Sequence, residues 1–339
     1  MAKYKIFFGT YSKGEGNGIF GGVFDSDSGE IKITDTLDIE NPAYLRLDPS
    51  NNNRLYGVSE LTDGEVFAVN ISDPENMRLA DIKPTHGKHP CHLCVKDKFI
   101  FTANYSEGSL NISGIDESGY IKPFNLSIQH FGRSMNPSRQ TQPHVHFADM
   151  TPDGKYLAVC DLGLDKVFLY PYCSEKGISV NAKIIDCPPG AGPRHLTFSK
   201  CGEYMYLLTE LANTVLVYEY NGGDVELIQE ISTLPADFTD QSTAAAIHIP
   251  SNGEFLAASN RGHDSIAIFK IKTNGKLDFL YYIEDCEEPR DFRFSPDSQW
   301  LLIASQKKDC VRIYPTGFFV PAGKIRIPKP VCILFGEEI

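Results

Sequence analysis

Charged and polar side chains recur at matching places of a repeated pattern in the second half of the chain. Turn residues about 50 positions apart mark the pattern, namely Gly154, Gly202, Gly253 and Ser298. Eight residues before these turns lie His146, Arg194, Ala245 and Arg290, and eight residues after them lie Leu162, Glu210, Arg261 and Gln306. Because residues equally far from a hairpin turn lie side by side, we expect these side chains to crowd one end of neighbouring hairpins.

The residue types at these positions suit anion binding combined with acid–base chemistry. Arginine binds carboxylate or phosphate oxygens through paired hydrogen bonds, and glutamate and histidine exchange protons. A requirement of shape alone would repeat one residue type, whereas the same position holds His, Arg, Ala and Arg. We therefore predict catalytic roles for His146, Glu210, Arg194 and Arg261, and substrate binding by Arg290, Gln306 and His195.

Each of these assignments has a purely structural alternative. Glu210 could form salt bridges with Arg194 or Arg261 that only hold neighbouring elements together. His146 could be a packed histidine at a strand end. Along a strand, His144 and His195 alternate in direction with the proposed catalytic residues, so they could support the site from behind.

Short strands must position these residues. The stretch from 142 to 261 repeats one unit three times: an apolar run, a tight turn, a second apolar run that ends in polar residues, and a third apolar run. Self-similarity of this length, built from short apolar runs, is typical of a β-propeller. The sequence therefore predicts an all-β fold with no helix of useful length.

The number of units predicts how the ring closes. Similar units open at residues 41, 89 and 288, so six four-strand units leave three strands at the N-terminus and one at the C-terminus. Pairing of the C-terminal strand with the N-terminal strands would complete a seven-bladed β-propeller and remove its exposed sheet edges. We expect one propeller domain over residues 1–339.

An insertion interrupts the repeat at residues 130–142 and is rich in Ser, Asn, Pro and Arg. If it covers the end of the central channel, Arg133 and Arg139 could add to anion binding. The alternative is a solvated loop with no part in the site.

Three groups of residues resemble metal ligands but have simpler explanations. Cys91 and Cys94 form a CxxC without the second pair expected of a zinc site. Asp161 and Asp165 lie where turn residues are expected. Alternation along a strand would send the side chains of the group His86, His89 and His92 to different faces. We expect no metal and no cofactor.

Composition limits the partners and the compartment. The chain has 339 residues, a formal net charge of −12 and a pI near 5.2, which argues against nucleic acid or an anionic membrane as partner. The apolar runs are far shorter than a membrane span. Nine scattered cysteines favour a reducing compartment. We expect a cytoplasmic protein that is a monomer or a weak homodimer.

Four motifs carry a family resemblance: HVHFADMTPDGKYLAVCDLG, GPRHLTF, LLTEL and SNRG. With the opening IFFGTYSKGEGNGIF and NPAYLRLDP, they make the whole chain resemble the lactonase-type seven-bladed propellers, which include a bacterial 6-phosphogluconolactonase and carboxy-cis,cis-muconate cyclases. The resemblance implies a site of one His, two Arg and one Glu, which fall on His146, Arg194, Arg261 and Glu210.

The leading functional hypothesis is hydrolysis of a small anionic sugar lactone, with 6-phosphogluconolactone as the first candidate. The arginines would bind the anion and the developing oxyanion, and Glu210 or His146 would be the general base. The first alternative is a muconate-type cycloisomerase, which would need the same residue types. The second is a non-catalytic propeller that binds a small acid or a protein.

Overall fold

A computed structural model describes residues 2–11, 18–73 and 75–339 of the chain. Residues 12–17, part of the opening motif of the family resemblance, lie outside the described residues. The described strands form seven antiparallel sheets. Six sheets are built from strands that are consecutive in sequence, and the seventh combines the first three strands with the last one. The predicted all-β, seven-bladed β-propeller is confirmed.

The closing blade begins with three N-terminal strands, and three complete blades follow. The N-terminal strands are β1 (Lys3–Thr10), β2 (Ile19–Asp25) and β3 (Ile31–Leu37). The first blade contains β4 (Pro42–Asp48), β5 (Asn51–Ser59), β6 (Glu65–Asn70) and β7 (Arg78–Pro84). The second contains β8 (Pro90–Lys96), β9 (Phe99–Asn104), β10 (Ser109–Ile115) and β11 (Ile121–Gln129). The third contains β12 (Val145–Met150), β13 (Tyr156–Asp161), β14 (Lys166–Cys173), the short β15 (Gly177–Ile178) and β16 (Lys183–Asp186).

Three more blades and the final strand complete the ring. The fourth blade contains β17 (Pro193–Phe198), β18 (Tyr204–Thr209), β19 (Thr214–Asn221) and β20 (Asp224–Ser232). The fifth contains β21 (Thr243–His248), β22 (Phe255–Arg261), β23 (Ser265–Ile271) and β24 (Leu277–Ile283). The sixth contains β25 (Pro289–Phe294), β26 (Trp300–Ser305), a 3₁₀ turn (Gln306–Lys308), β27 (Cys310–Pro315) and β28 (Gly323–Arg326), and the last strand is β29 (Pro330–Glu338).

The ring closes as the strand count predicts. β29 pairs with β1, so the closing blade has the order β29, β1, β2, β3. The innermost strand of each blade contacts the innermost strands of both neighbours, which places β4, β8, β12, β17, β21, β25 and β29 around one central channel. A side-chain bond also joins the closing blade to the sixth, because the indole Nε1 of Trp300 donates to the carbonyl of Ser26 at 2.7 Å.

The core lies between the blades, where stacked sheets bury both faces of the inner strands. All six residues of β9 are buried, whereas the outer β11 of the same blade is mostly exposed. Sheets that pack face to face need apolar residues on each covered face. This explains why the inner strands read as continuous apolar runs and the outer strands alternate.

Each innermost strand carries one irregularity close to its first residue. In β17, Pro193 pairs with Thr209 and His195 with Leu208, which leaves Arg194 as an extra, unpaired residue. A β-bulge of this kind turns a side chain out of the regular alternation and is common beside active sites. Because the bulge recurs in every blade, it places one side chain per blade at the same end of the channel.

In the described ranges, the only helical element is a single 3₁₀ turn. No helix in these ranges is long and apolar enough to cross a membrane.

Candidate active site

Two rings of side chains form one end of the central channel. The first ring consists of the unpaired residues at the bulges, which we call the bulge residues. They are Ala43, Cys91, His146, Arg194, Ala245, Arg290 and Val331. Three of the predicted site residues are therefore delivered by one structural device, repeated in blades three, four and six.

The second ring comes from the end of the second strand of each blade, and we call its members the rim residues. They are Tyr11, Glu60, Tyr105, Leu162, Glu210, Arg261 and Gln306. In six of the seven blades, the rim residue donates its amide N–H to the carbonyl just before the innermost strand, as Glu210 does to Gly192 at 2.7 Å. This backbone bond fixes each of these six rim residues beside a bulge residue.

Glu210 is the centre of an ion-pair cluster that spans the insertion and two blades. Its Oε2 accepts from Nε of Arg194 at 2.9 Å and lies 3.1 Å from Nη2 of Arg261. Its Oε1 accepts from Nη2 of Arg139 at 2.6 Å. Backbone carbonyls orient the guanidinium groups further: Arg194 donates to Ala245, and Arg261 to Ala244 at 3.1 Å. The cluster thus joins three of the predicted residues and Arg139.

This arrangement keeps Glu210 ionised. Burial alone would raise the pKa of its carboxyl group, but the guanidinium groups of Arg261 and Arg194 hold that pKa well below its usual range. Burial, and next the charge of Arg261, lower the pKa of Arg194 to about 10, so Arg194 is still protonated at neutral pH. A carboxylate with three arginine partners and a lowered pKa is a poor proton acceptor.

His146 lies beside this cluster and is neutral. Its Nδ1 is buried without a hydrogen-bond partner among the described residues, and its ring packs edge-on against Tyr105 at 5.6 Å. Burial, and then the positive charge of Arg194, keep the pKa of His146 well below its ordinary value of 6.5. At neutral pH the imidazole is therefore in the unprotonated form that a general base requires, and it has a nitrogen without a partner, whereas Glu210 is held by three guanidinium groups.

The channel is filled directly beneath these residues. The imidazole of His195 packs between those of His146 and His92, with ring centroids 5.2 Å and 5.3 Å away. The ring of Tyr44, from the opposite side of the propeller, lies 6.4 Å from His195. The Nη1 of Arg194 lies 3.3 Å from Nε2 of His195. His195 therefore forms part of the floor of the site and orients Arg194. Substrate contact by His195 stays a prediction.

Arg290 belongs to a separate pair on the far side of the mouth. Its guanidinium lies 5.0 Å above the ring of Tyr11 and 3.6 Å from Glu60, and the hydroxyl of Tyr11 donates to Glu60 at 2.5 Å. Arg290, His146 and Arg194 line one small cavity at the mouth. Arg290 thus faces the same space as the Glu210 cluster without touching it.

Gln306 lies on the rim, but its side chain makes no hydrogen bond to the cluster among the described residues. Only its backbone N–H is engaged, by the carbonyl of Glu288 at 3.2 Å. Its predicted role in substrate binding stays a prediction.

The sequence reasoning missed Glu60 and Tyr11, and it missed Tyr105, whose hydroxyl accepts from Nη2 of Arg139 at 3.1 Å. All three are rim residues, equivalent to Glu210 in their own blades. The signal was present, because GTY, VSE and ANY each end a second strand as LTE does. The first and second blades have no glycine in the turn between their first two strands, and the other bulge and rim residues of the predicted site were identified by their distance from that glycine, or from Ser298 in the sixth blade.

The residues that resemble metal ligands have other partners. Oδ1 of Asp161 accepts from the backbone N–H groups of His144 and Gly163, and its Oδ2 bonds His130 at 2.7 Å. Asp165 accepts from Gln140 and from two backbone amides of the next blade. Within the described ranges, no three His, Cys, Asp or Glu side chains come together as a metal-binding group.

The model of the family "Lactonase, 7-bladed beta-propeller" matches residues 5–335. The chain belongs to this family. It is 34% identical to the 6-phosphogluconolactonase of Bacillus subtilis (strain 168), with all of both chains covered.

Solved structures of family members agree closely with the fold. A protein of Bacteroides fragilis NCTC 9343 is 31% identical, with a TM-score of 0.94 over 99% of this chain and 98% of that one. The periplasmic gluconolactonase of Pseudomonas aeruginosa is 29% identical, with a TM-score of 0.93 over 99% of both chains. Because one lactonase of this fold is named periplasmic, the expected cytoplasmic location of this member stays a prediction.

Proposed function

We propose that this lactonase-family member hydrolyses an anionic sugar lactone, with 6-phosphogluconolactone as its substrate. The observation that carries the proposal is the buried Glu210 carboxylate with Arg194 and Arg261 on one oxygen, next to the neutral imidazole of His146. Membership of the lactonase family and similarity to a 6-phosphogluconolactonase over the full chain support it.

Charge supports a substrate with more than one negative charge. Four guanidinium groups surround the mouth, those of Arg139, Arg194, Arg261 and Arg290, and two carboxylates pair with them, Glu210 and Glu60. The excess of two positive charges matches a phosphate monoester near neutral pH. A neutral lactone would leave this excess without a counter-charge.

The proposed reaction uses His146 as the general base. His146 takes a proton from water as the water oxygen adds to the lactone carbonyl, and Arg194 and Arg261 stabilise the negative charge that develops on the carbonyl oxygen. The imidazolium then gives its proton to the ring oxygen as the ring carbon–oxygen bond breaks. The other proton of the attacking water is released when the product acid ionises, so the products are a carboxylate, a free hydroxyl and one proton, and the atoms balance with water as the only co-reactant.

Glu210 is assigned a positioning role in this scheme. Its carboxylate holds two guanidinium groups on one oxygen, and their shared charge keeps it ionised throughout. Two cations held in place before the substrate arrives need no rearrangement when the oxyanion forms.

The test is hydrolysis measured in a pH-stat, with 6-phosphogluconolactone and unphosphorylated gluconolactone compared above the spontaneous rate. Wild type should prefer the phosphorylated lactone, and Arg194→Gln should lose at least about 100-fold in kcat/KM. Arg78→Gln, which removes an exposed arginine of the outer strand β7, is the matched control. Equal rates on both lactones would remove the phosphate from the proposal, and no rate above the blank on either would overturn it.

A further inference from the structure

The insertion between the second and third blades is fastened at both of its ends. At the start, His130 bonds Asp161 at 2.7 Å and the hydroxyl of Tyr170 at 2.8 Å, and it is buried. At the end, the side chain of Gln140 donates to Asp165 at 2.7 Å and to the carbonyl of Leu162 at 2.8 Å. Residues 130–142 therefore form a strap held to the third blade. The two aspartates that resemble metal ligands serve as its anchors.

The strap delivers one arginine to the site and leaves another in solvent. Nη2 of Arg139 donates to Oε1 of Glu210 at 2.6 Å and to the hydroxyl of Tyr105 at 3.1 Å. Arg133 is exposed and has no hydrogen bond or ion pair with the described residues. The sequence alternative of a wholly solvated loop is thus wrong for Arg139, whereas Arg133 fits it.

Arg139 is the outermost cation of the cluster. Its side chain is 38% exposed, compared with 3% for Arg194 and 11% for Arg261. Its Nε and Nη1 carry no partner among the described residues, so they can still donate to a ligand. Burial opposes its charge, but Glu210 raises the pKa of Arg139, which keeps the group cationic.

The shape of the proposed substrate separates two anionic positions. In a phosphorylated six-carbon lactone, the phosphate is carried on an arm of the ring, several bonds from the reacting carbonyl. With the carbonyl at Arg194 and Arg261, in the depth of the mouth, this arm can direct the phosphate outwards to Arg139, the most exposed of the three arginines that pair with Glu210.

We propose that Arg139 is the residue by which this protein recognises the phosphate of its substrate. This inference rests on the proposed function. Arg139 is held ready by Glu210 and Tyr105, binds the phosphate through its free N–H groups, and takes no part in the chemistry at the carbonyl. The strap then determines which lactones this member of the family accepts.

The test compares Arg139→Gln with Arg133→Gln, which removes the same charge from an exposed position of the same strap. For Arg139→Gln, the KM for 6-phosphogluconolactone should rise by about 10- to 100-fold, which is what a lost hydrogen bond to a charged group produces. The kcat on this lactone and the KM for unphosphorylated gluconolactone should stay within about threefold of wild type. Arg133→Gln should match wild type on both.

A merely structural contact between Arg139 and Glu210 gives a different result. Loss of that contact would disturb Arg194 and Arg261 as well, and so would affect both lactones alike. An equal effect on the two lactones, or no effect on either, overturns the inference.

A binding measurement keeps the inference separate from the proposed reaction. Calorimetric titration with 6-phosphogluconate and with gluconate needs no turnover. Weaker binding of 6-phosphogluconate alone to Arg139→Gln supports the inference even if wild type proves inactive on both lactones, a result that would overturn only the reaction. Equal binding of 6-phosphogluconate by the Arg139→Gln and Arg133→Gln variants overturns phosphate recognition.

Discussion

The Nε of Arg194 donates to Oε2 of Glu210 at 2.9 Å, and both side chains are almost completely buried. Arg194 is the bulge residue of the fourth blade and Glu210 is the rim residue of the same blade, so the pair connects the two rings of the mouth. Taking two charges out of water is costly and is tolerated only when each is well paired. Glu210 therefore organises the cations around it.

The first prediction concerns removal of that charge by Glu210→Gln. The variant should lose at least about 100-fold in kcat, because Arg194 and Arg261 lose the carboxylate that holds them. It should also lose about 3–5 kcal/mol of unfolding free energy, since buried guanidinium groups are left without a counter-charge. Lactone hydrolysis and urea unfolding measure the two effects.

The acid side of the pH–rate profile distinguishes positioning from proton transfer in this variant. If Glu210 only positions cations, the residual activity of Glu210→Gln should keep the wild-type dependence on pH. Disappearance of the fall in rate at low pH would instead identify Glu210 as the general base.

The second prediction concerns His146 as the base. Because the pKa of His146 lies well below 6.5, the imidazole is unprotonated at pH 7, and activity should persist as the pH falls below 6.5. The rate should drop only when the pH falls through the lowered pKa. His146→Gln should lose about 100- to 10,000-fold in kcat and lose this acid limb. A His146→Gln enzyme with a full rate and an unchanged profile would contradict the assignment.

Much of the fold was predictable because the repeat is regular. The turn residues Gly154, Gly202 and Gly253 fix the hairpins, and the count of strands fixes the closure of β29 against β1. The same regularity brings Arg194 and Glu210 together, since a position counted from the turn has the same place in every blade.

The rest of the site depended on features that the pattern of residue types does not reveal. The bulge leaves Arg194 without a paired residue across the hairpin, and its side chain meets Glu210 through the hydrogen bond from Nε to Oε2. Arg139 comes from an insertion outside the repeat, and nothing in its neighbouring sequence indicates that it meets Glu210. Long-range packing decides contacts of this kind.

The third prediction concerns Arg290, which lines the cavity with His146 and Arg194 but is paired with Glu60. Arg290→Gln should lower kcat/KM by about 10-fold or more on both the phosphorylated and the unphosphorylated lactone, because its charge faces the cavity that His146 and Arg194 also line. This pattern differs from that expected of Arg139→Gln, which should affect the phosphorylated lactone alone. Parallel kinetics on the two lactones make the comparison. A selective effect of Arg290→Gln would assign the phosphate to Arg290 instead.

The last prediction concerns stability at low pH and uses a histidine at the other end of the channel. His248 bonds Asp291 at 3.2 Å and lies 3.2 Å from a guanidinium nitrogen of Arg293. Burial, and next the charge of Arg293, lower the pKa of His248 to about 4. Below pH 6.5 the unfolded chain binds a proton at this histidine that the folded chain does not. The stability that neutral His248 contributes above pH 6.5 is therefore lost as the pH falls towards 4.

His248→Gln should reduce the pH dependence of stability by the part that His248 contributes. Between pH 7.5 and pH 5, wild type should lose about 2 kcal/mol of unfolding free energy through His248, from 1.36 kcal/mol per pKa unit, and the variant should not. The buried His92, His146 and His195 have lowered pKa values too. The stability of the variant therefore still falls with pH, but by less than that of wild type. Trp300, the only tryptophan, reports unfolding by fluorescence, and His86→Asn, at an exposed position, is the control. An unchanged pH dependence in His248→Gln would show that His248 is protonated in the folded protein as readily as in the unfolded chain.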